Sequence, residues 1–250
     1  MNRKTSIDCF VSWWSKLTDE QKSVFPDSLD ALTDVLSLRV EGVAESTYVV
    51  HVSDSDAVQL LIHWEGYVYE KAVSIVKSWR RYAMDRGYNG PVCWNVKAGF
   101  TLLDHARVAG PCSERAISSL RAGFIDEPTS NSLIFWIPLL VEGSMDSSIS
   151  QMEVLRNTVR TSYGMSEKHC TSFGSIELLV ALIFTHYRRT GIRVPLNGKF
   201  ALSDSSCSRG EKSLVVSWFG QDGLDWIGLY KDLNGLGGTG FFALGVEKLG

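Results

Sequence analysis

The sequence predicts an α+β protein in which helices and strands mix over the first part of the chain and short antiparallel strands close it. Three observations carry this reading. Residues 175–190 set Ile176, Leu179, Val180, Ile183, Phe184 and Tyr187 on one wide apolar face, with Gly191 as the stop. The run SLIFWI at 132–137 is a strongly apolar strand, expected to end before Pro138. The last 41 residues hold ten of the chain's 22 glycines and alternate them with aromatics and short polar residues, a composition of strands and turns.

Taken in order, the first forty residues read as short helices. Ile7, Phe10, Val11 and Trp14 recur at helical spacing, Thr18-Asp19-Glu20-Gln21 resembles a capped start, and Ser28 after Pro26 caps a second helix bearing Leu29, Leu32, Val35 and Leu36. The β-branched stretch 47–52 predicts a strand. Ser53-Asp54 begins a helical region interrupted at Gly66, whose later part, 69–86, places Val73, Val76 and Trp79 on one side and closes at Gly87. A buried strand over 91–96 and a short helix over 113–121 follow, and His105 between them is read as a loop histidine. A polar loop at 145–150 leads into a helix over 151–162 that Gly164 ends. Beyond Pro195 only loops and strands are expected, the strands over 213–219, 224–230 and 240–246. This divides the chain into a mainly helical region, 1–90, and an α+β domain, 91–250.

At 250 residues, 44% hydrophobic and 21% charged, the chain can bury a sizeable core. A net charge of -3 gives no electrostatic argument for nucleic acid or an anionic membrane, and Arg80-Arg81 and Arg188-Arg189 fit solvated helix faces. Five scattered cysteines without a CxxC pair argue against structural zinc and suit buried thiols in a reducing compartment. No secretory signal is recognisable, and no uncharged apolar run approaches the roughly 18 residues of a membrane span. A cytoplasmic protein with no membrane span, metal or other cofactor is the expectation.

The candidates for chemistry are few. Cys170, beside His169 and just ahead of a helix, is the best thiol, because a helix N-terminus lowers a thiol's pKa. Adjacent residues seldom face one another, and a loop packed on the following helix is the plainer reading. Cys112 with Asp104-His105 is a second Cys/His possibility against an ordinary loop histidine. His51 and His63 are twelve residues apart, unlike a metal-binding pair, and His186 fits a partly exposed helix position. Asp126-Glu127 before Pro128 suits a turn. Asp222, Asp225 and Asp232 lack the spacing of a calcium loop, and Gly-Leu-Gly-Gly at 235–238 lacks the lysine and helix of a phosphate loop.

The glycine-rich tail mixes Trp218, Phe219, Trp226 and Tyr230 with Ser, Asp, Asn and Gly, the composition of a recognition surface. The alternative is that these aromatics fill the core of a small sheet, since both faces of SLVVSWF are apolar.

The helix at 175–190, then Gly-Ile-Arg-Val-Pro-Leu, then a loop and short strands ending in Gly-Phe-Phe-Ala-Leu-Gly-Val, resembles the C-terminal half of proteins with the C-type-lectin fold. More narrowly, the segment 204–242, with AGFTLLDHA at 98–106, DEPTSNS at 126–132 and TSFGS at 171–175, looks like the variable proteins of diversity-generating retroelements. In that family a terminal segment, here 203–243, is diversified on a fixed scaffold. The resemblance implies ligand-facing positions at Asp204, Ser206, Ser208, Arg209, Ser217, Trp218, Gln221, Asp222, Asp225, Trp226, Tyr230, Lys231 and Asn234. Leu214, Val216, Leu224, Phe242 and Val246 would be scaffold. The same fold includes sulfatase-modifying enzymes with a catalytic cysteine pair, but only Cys207 lies in the relevant region. The function expected is binding of a protein or other macromolecular ligand. An enzyme with a Cys/His site and a phage or host structural component are the alternatives.

Overall fold

The computed structural model describes residues 48–120, 124–196, 198–207, 212–230 and 238–248. The helices expected in the first forty residues lie outside them. The chain divides into two compact units, Met1–Glu45 and Ser46–Gly250, and everything that follows concerns the second. Residues 46–90, expected with the N-terminal region, therefore belong with residues 91–250. The physical reason is strand pairing: the stretch supplies an edge strand and a helix buried against the same sheet.

The described elements run β1 (Val49–Val52), α1 (Asp54–Glu65), α2 (Tyr69–Asp85), β2 (Cys93–Val96), α3 (Leu102–Ala109), α4 (Glu114–Ser119) and β3 (Ser132–Leu140). A 3-10 turn (Ser144–Asp146) precedes α5 (Ile149–Tyr163) and α6 (Ile176–Thr190). Then come β4 (Phe200–Cys207), β5 (Lys212–Gly220), β6 (Gly223–Tyr230), β7 (Thr239–Gly240) and β8 (Phe242–Lys248). The first sheet has the order β1-β2-β3-β8 and is antiparallel throughout. The second has the order β6-β5-β4-β7, antiparallel except for the β4–β7 pair. Helices beside antiparallel and mixed sheets make this an α+β fold.

β3 explains why the core has two halves. Its side chains alternate, so Ile134 and Trp136 enter one apolar cluster while Leu133, Phe135 and Ile137 enter the other. The first cluster lies between the sheets and includes α6, α3 and the inward residues of β5 and β6. The second holds α1, α2 and α5 against the opposite face of the first sheet and also takes in Leu202 and Val215 of the second sheet. A strand buried on both sides reads as a continuous apolar run, as SLIFWIPLL does. The strand does not end before Pro138. It passes through the proline with a register shift between Trp136 and Leu140 in its pairing with β8, which accommodates a residue lacking an N–H.

Local chemistry sets the helix ends. The Asp56 N–H donates to Ser53 Oγ at the start of α1, and Gly66 ends that helix at φ +66°. Ser148 and Gln151 form a reciprocal capping box on α5, which ends at Gly164. Ser175 caps α6, and Gly191 stops it. α3 falls where the sequence predicts no element and His105 is read as a loop residue. Its first turn is satisfied from 23 and 24 residues away, where Asp126 accepts the Leu102 and Leu103 N–H groups at 2.9 and 2.7 Å. A cap that remote leaves no local signal. No described helix is long and apolar enough to cross a membrane.

Candidate functional site

The β5–β6 hairpin brings together part of the expected ligand face. Val216 pairs with Trp226 and Trp218 with Asp225, so a bulge at Ser217 sets two residues of β5 against one of β6. The bulge turns Trp218 outward to 54% exposure on a strand otherwise buried almost throughout. Its ring lies over Gly220, where a Cβ would displace it. Gln221 and Asp222, in the turn that follows, are exposed.

Asp225 is fixed beneath this tip. The Ser113 hydroxyl donates to Oδ1 at 2.8 Å, the Ser217 hydroxyl to Oδ2 at 3.2 Å, and Arg115 Nε lies 3.8 Å from Oδ2. Ser113 also accepts the Ala116 N–H, capping α4, while its own N–H donates to the Leu224 carbonyl. The Leu224 N–H returns a bond to Pro111, and the close approach of this strand requires glycine at 223, with φ +100°. The carboxylate thus couples the 111–115 segment to the edge strand.

The thirteen expected positions do not form one surface. Trp226 is fully buried in the core between the sheets, and Ser217 and Asp225 are also buried, which corrects the expectation of ligand-facing side chains at all three. The reason for Trp226 is register: it sits opposite Val216 on the inward face of β5. Phe219, Phe241 and Phe242 are core as well. Asp204 and Ser206 lie on β4, and Asp204 stands about four residues from Trp218 along the neighbouring strand, roughly 13 Å at strand rise. Asp204 Oδ2 accepts the Phe173 and Gly174 N–H groups at 2.9 and 3.0 Å, fixing the turn before α6. Tyr230 ends β6 opposite Lys212, far from the hairpin tip, and its backbone alone is described. Ser208, Arg209, Lys231 and Asn234 lie outside the described residues.

The Cys/His candidates are occupied elsewhere. His169 is completely buried, with Trp79 Nε1 donating to its Nδ1 at 2.9 Å. Its proton is therefore on Nε2, which donates to Glu247 Oε1 at 3.0 Å. Lys168 Nζ reaches Glu247 at 3.3 Å and Glu65 at 2.7 Å, and the Tyr67 hydroxyl donates to Glu247 at 3.3 Å. Burial pushes the Glu247 carboxyl up, but the His169 N–H bond and the Lys168 ammonium outweigh it and hold the pKa below the usual value. Gly245 belongs to the same cluster, since a Cβ there would come to 2.9 Å from both His169 and Trp79.

Cys170, at φ +53°, is buried beside Met165, and burial pushes its thiol up to about 11. Cys112 is pushed up to about 12 by burial. His105 sits in α3, where Nδ1 accepts the Thr101 N–H at 3.1 Å and Nε2 lies 3.0 Å from the Tyr48 hydroxyl. Neither pair is an activated thiolate with a free base. His186, expected to be partly exposed, is buried against the Trp136 ring. Among the described residues no group of three or more His, Cys, Asp or Glu is placed to hold a metal ion.

Sequence reasoning missed the Trp79–His169–Glu247 cluster and the Ser113–Asp225 link, whose partners lie 78 to 112 residues apart in sequence. Comparison with models of known families, with curated proteins and with solved structures gives no match.

Proposed function

We propose that this chain is a ligand-binding protein whose recognition face is the outer tip of the β5–β6 hairpin. The observation that carries the reading is the bulge at Ser217, which presents a half-exposed Trp218 from a rigid, otherwise buried strand. A large aromatic with few torsions offers contact area at small entropic cost, and Gln221 and Asp222 supply polar contacts beside it. Asp225, buried under the tip, would act by holding the hairpin to the 111–115 segment rather than by touching ligand. A macromolecular ligand fits a convex tip better than a small molecule does. The thiols pushed upward by burial count against the Cys/His enzyme reading. Cys93, Cys112, Cys170 and Cys207 are free, which suits a cytoplasmic setting.

The test is an array of proteins and glycans probed with wild-type chain and with Trp218→Ala. A ligand that loses about thirtyfold in affinity, the roughly 2 kcal/mol of a hot spot, supports the face. A ligand bound equally by both places recognition elsewhere. For the narrower class, a diversified lectin-like variable protein, the flanking DNA decides. It should carry a reverse-transcriptase gene and a near-copy of the final codons whose differences fall at adenines. Those differences should spare the codon of buried Trp226 and include that of Trp218. Absence of both the copy and the gene would end that proposal while leaving the hairpin test untouched.

A further inference from the structure

A second buried carboxylate, unconnected with the hairpin, has no partner among the described residues. Glu177 lies in the first turn of α6 with 1% of its surface exposed, and neither of its carboxylate oxygens has a hydrogen-bond partner there. Nor does it form an ion pair among the described residues. The Ser175 hydroxyl oxygen caps the helix by accepting the Leu178 N–H at 3.2 Å, and its proton makes no aligned hydrogen bond to Glu177. The charged group that faces it, Asp126 on the loop between α4 and β3, has the same sign and is itself fixed by the Leu102 and Leu103 N–H groups. A lone charge in such a site costs several kcal/mol, and an acid escapes that cost by keeping its proton.

We infer that Glu177 keeps its proton in the folded protein at pH values where the unfolded chain's carboxyl has already lost it, so that folding takes up a proton there and the start of α6 loosens when this carboxyl ionises. The electrostatics agree. Burial pushes the carboxyl upward, and the opposing effects of its own N–H, the Ser175 hydroxyl and the Glu127 N–H are too weak to reverse it. These groups lie close enough to favour the charged form, but none of them is aligned as a hydrogen bond.

The consequence reaches the second sheet, because the same turn is bolted to β4. Asp204 holds the Phe173 and Gly174 N–H groups, and Ser205 Oγ accepts the Ile176 N–H at 3.0 Å. Ionising Glu177 sets a solvent-seeking charge against those bonds. With the folded pKa above the unfolded one, stability is full at pH values below the usual carboxylate range. It falls as pH rises from that range to the raised folded value, and it is level beyond.

The experiment is equilibrium unfolding of the full chain in urea from pH 4.5 to 8.5, comparing wild type with Glu177→Gln. Glutamine keeps the shape and removes the titration, so the ratio of the two unfolding constants isolates this group. The wild-type constant should rise relative to the variant's by about tenfold per pH unit through the window, then plateau. A ratio independent of pH overturns the inference. Should the glutamine variant fail to fold, carbon-detected NMR of the Glu177 carboxyl in the wild-type protein decides the same question. A midpoint well above the usual carboxylate range supports the inference, and an ordinary midpoint overturns it.

Discussion

Glu247 and Glu177 are buried to the same degree, 0% and 1% exposed, yet burial has opposite outcomes at the two sites. Glu247 is ringed by donors: an imidazole N–H, an ammonium and a phenol. Its pKa is lowered although desolvation pushes the other way. Glu177 has a helix N-terminus nearby but no aligned donor, and its pKa is raised. The contrast teaches that a low-dielectric interior does not by itself decide charge. It amplifies whatever the neighbours offer, so a complete set of donors holds a carboxylate ionised and an incomplete set leaves it neutral. The pH signs follow. Glu247 contributes stability that is present above the usual carboxylate range and lost as pH falls through its lowered folded value, the reverse of Glu177.

The sharpest way to break this comparison is to remove the donor. His169→Ala leaves Glu247 buried with one fewer partner, orphans the Trp79 N–H and opens space beside Gly245. Loss of a hydrogen bond to a charged acceptor, an orphaned indole N–H and a cavity together are expected to cost about 3 kcal/mol or more, read as a fall in the urea midpoint at pH 7. A loss near 1 kcal/mol would mean that Lys168 and Tyr67 suffice for the carboxylate and that the imidazole is chiefly filler. Asp225→Ala is the intermediate case. Its partners are two hydroxyls, Ser113 and Ser217, and a distant, largely exposed Arg115. Removing the acceptor leaves two hydroxyls to find others, so the expected loss is about 1–3 kcal/mol. Protease sensitivity of the 111–115 segment should rise with it. An unchanged cleavage pattern would show that the Leu224 backbone bonds hold that segment unaided.

How much of this is legible in the sequence follows from where each signal resides. The starts of α1 and α6 are readable because Ser53 and Ser175 act within three residues, and Gly66, Gly164 and Gly191 reveal their own backbone conformation, whereas the start of α5 at Ile149 falls within the 145–150 stretch expected to be a loop. α3 is not readable, because its cap, Asp126, belongs to another loop. β4 escapes notice because Ser203, Asp204, Ser205 and Ser206 look like loop. The hydroxyls of Ser203 and Ser205 instead serve the Leu214 carbonyl and the Ile176 N–H. In the candidate site, composition marks the aromatic tail but does not separate its two faces. Period-two alternation would place Ser217 and Trp218 on opposite sides, and a bulge between Val216 and Trp218 defeats that rule. The buried cluster around His169 is beyond reach, since Trp79, His169 and Glu247 meet only through the fold.

Trp218→Ala is the smallest expected effect on stability and the control that gives the others meaning. The side chain is half exposed and belongs to neither apolar cluster, whereas its chain neighbour Phe219 is packed on Tyr187 at 5.0 Å between ring centres. A surface truncation of this kind is expected to move stability by no more than about 0.5 kcal/mol. Urea unfolding of the variant beside wild type measures it. If the change is that small while a ligand is lost, the hairpin tip is a recognition feature separable from the fold, and the bulge at Ser217 exists to present it. A loss of 2 kcal/mol or more, roughly the scale of burying an aromatic side chain, would instead make Trp218 a structural cover for Gly220 and the turn. The hairpin tip would then have no claim to function, and the recognition surface would have to be sought on the helices.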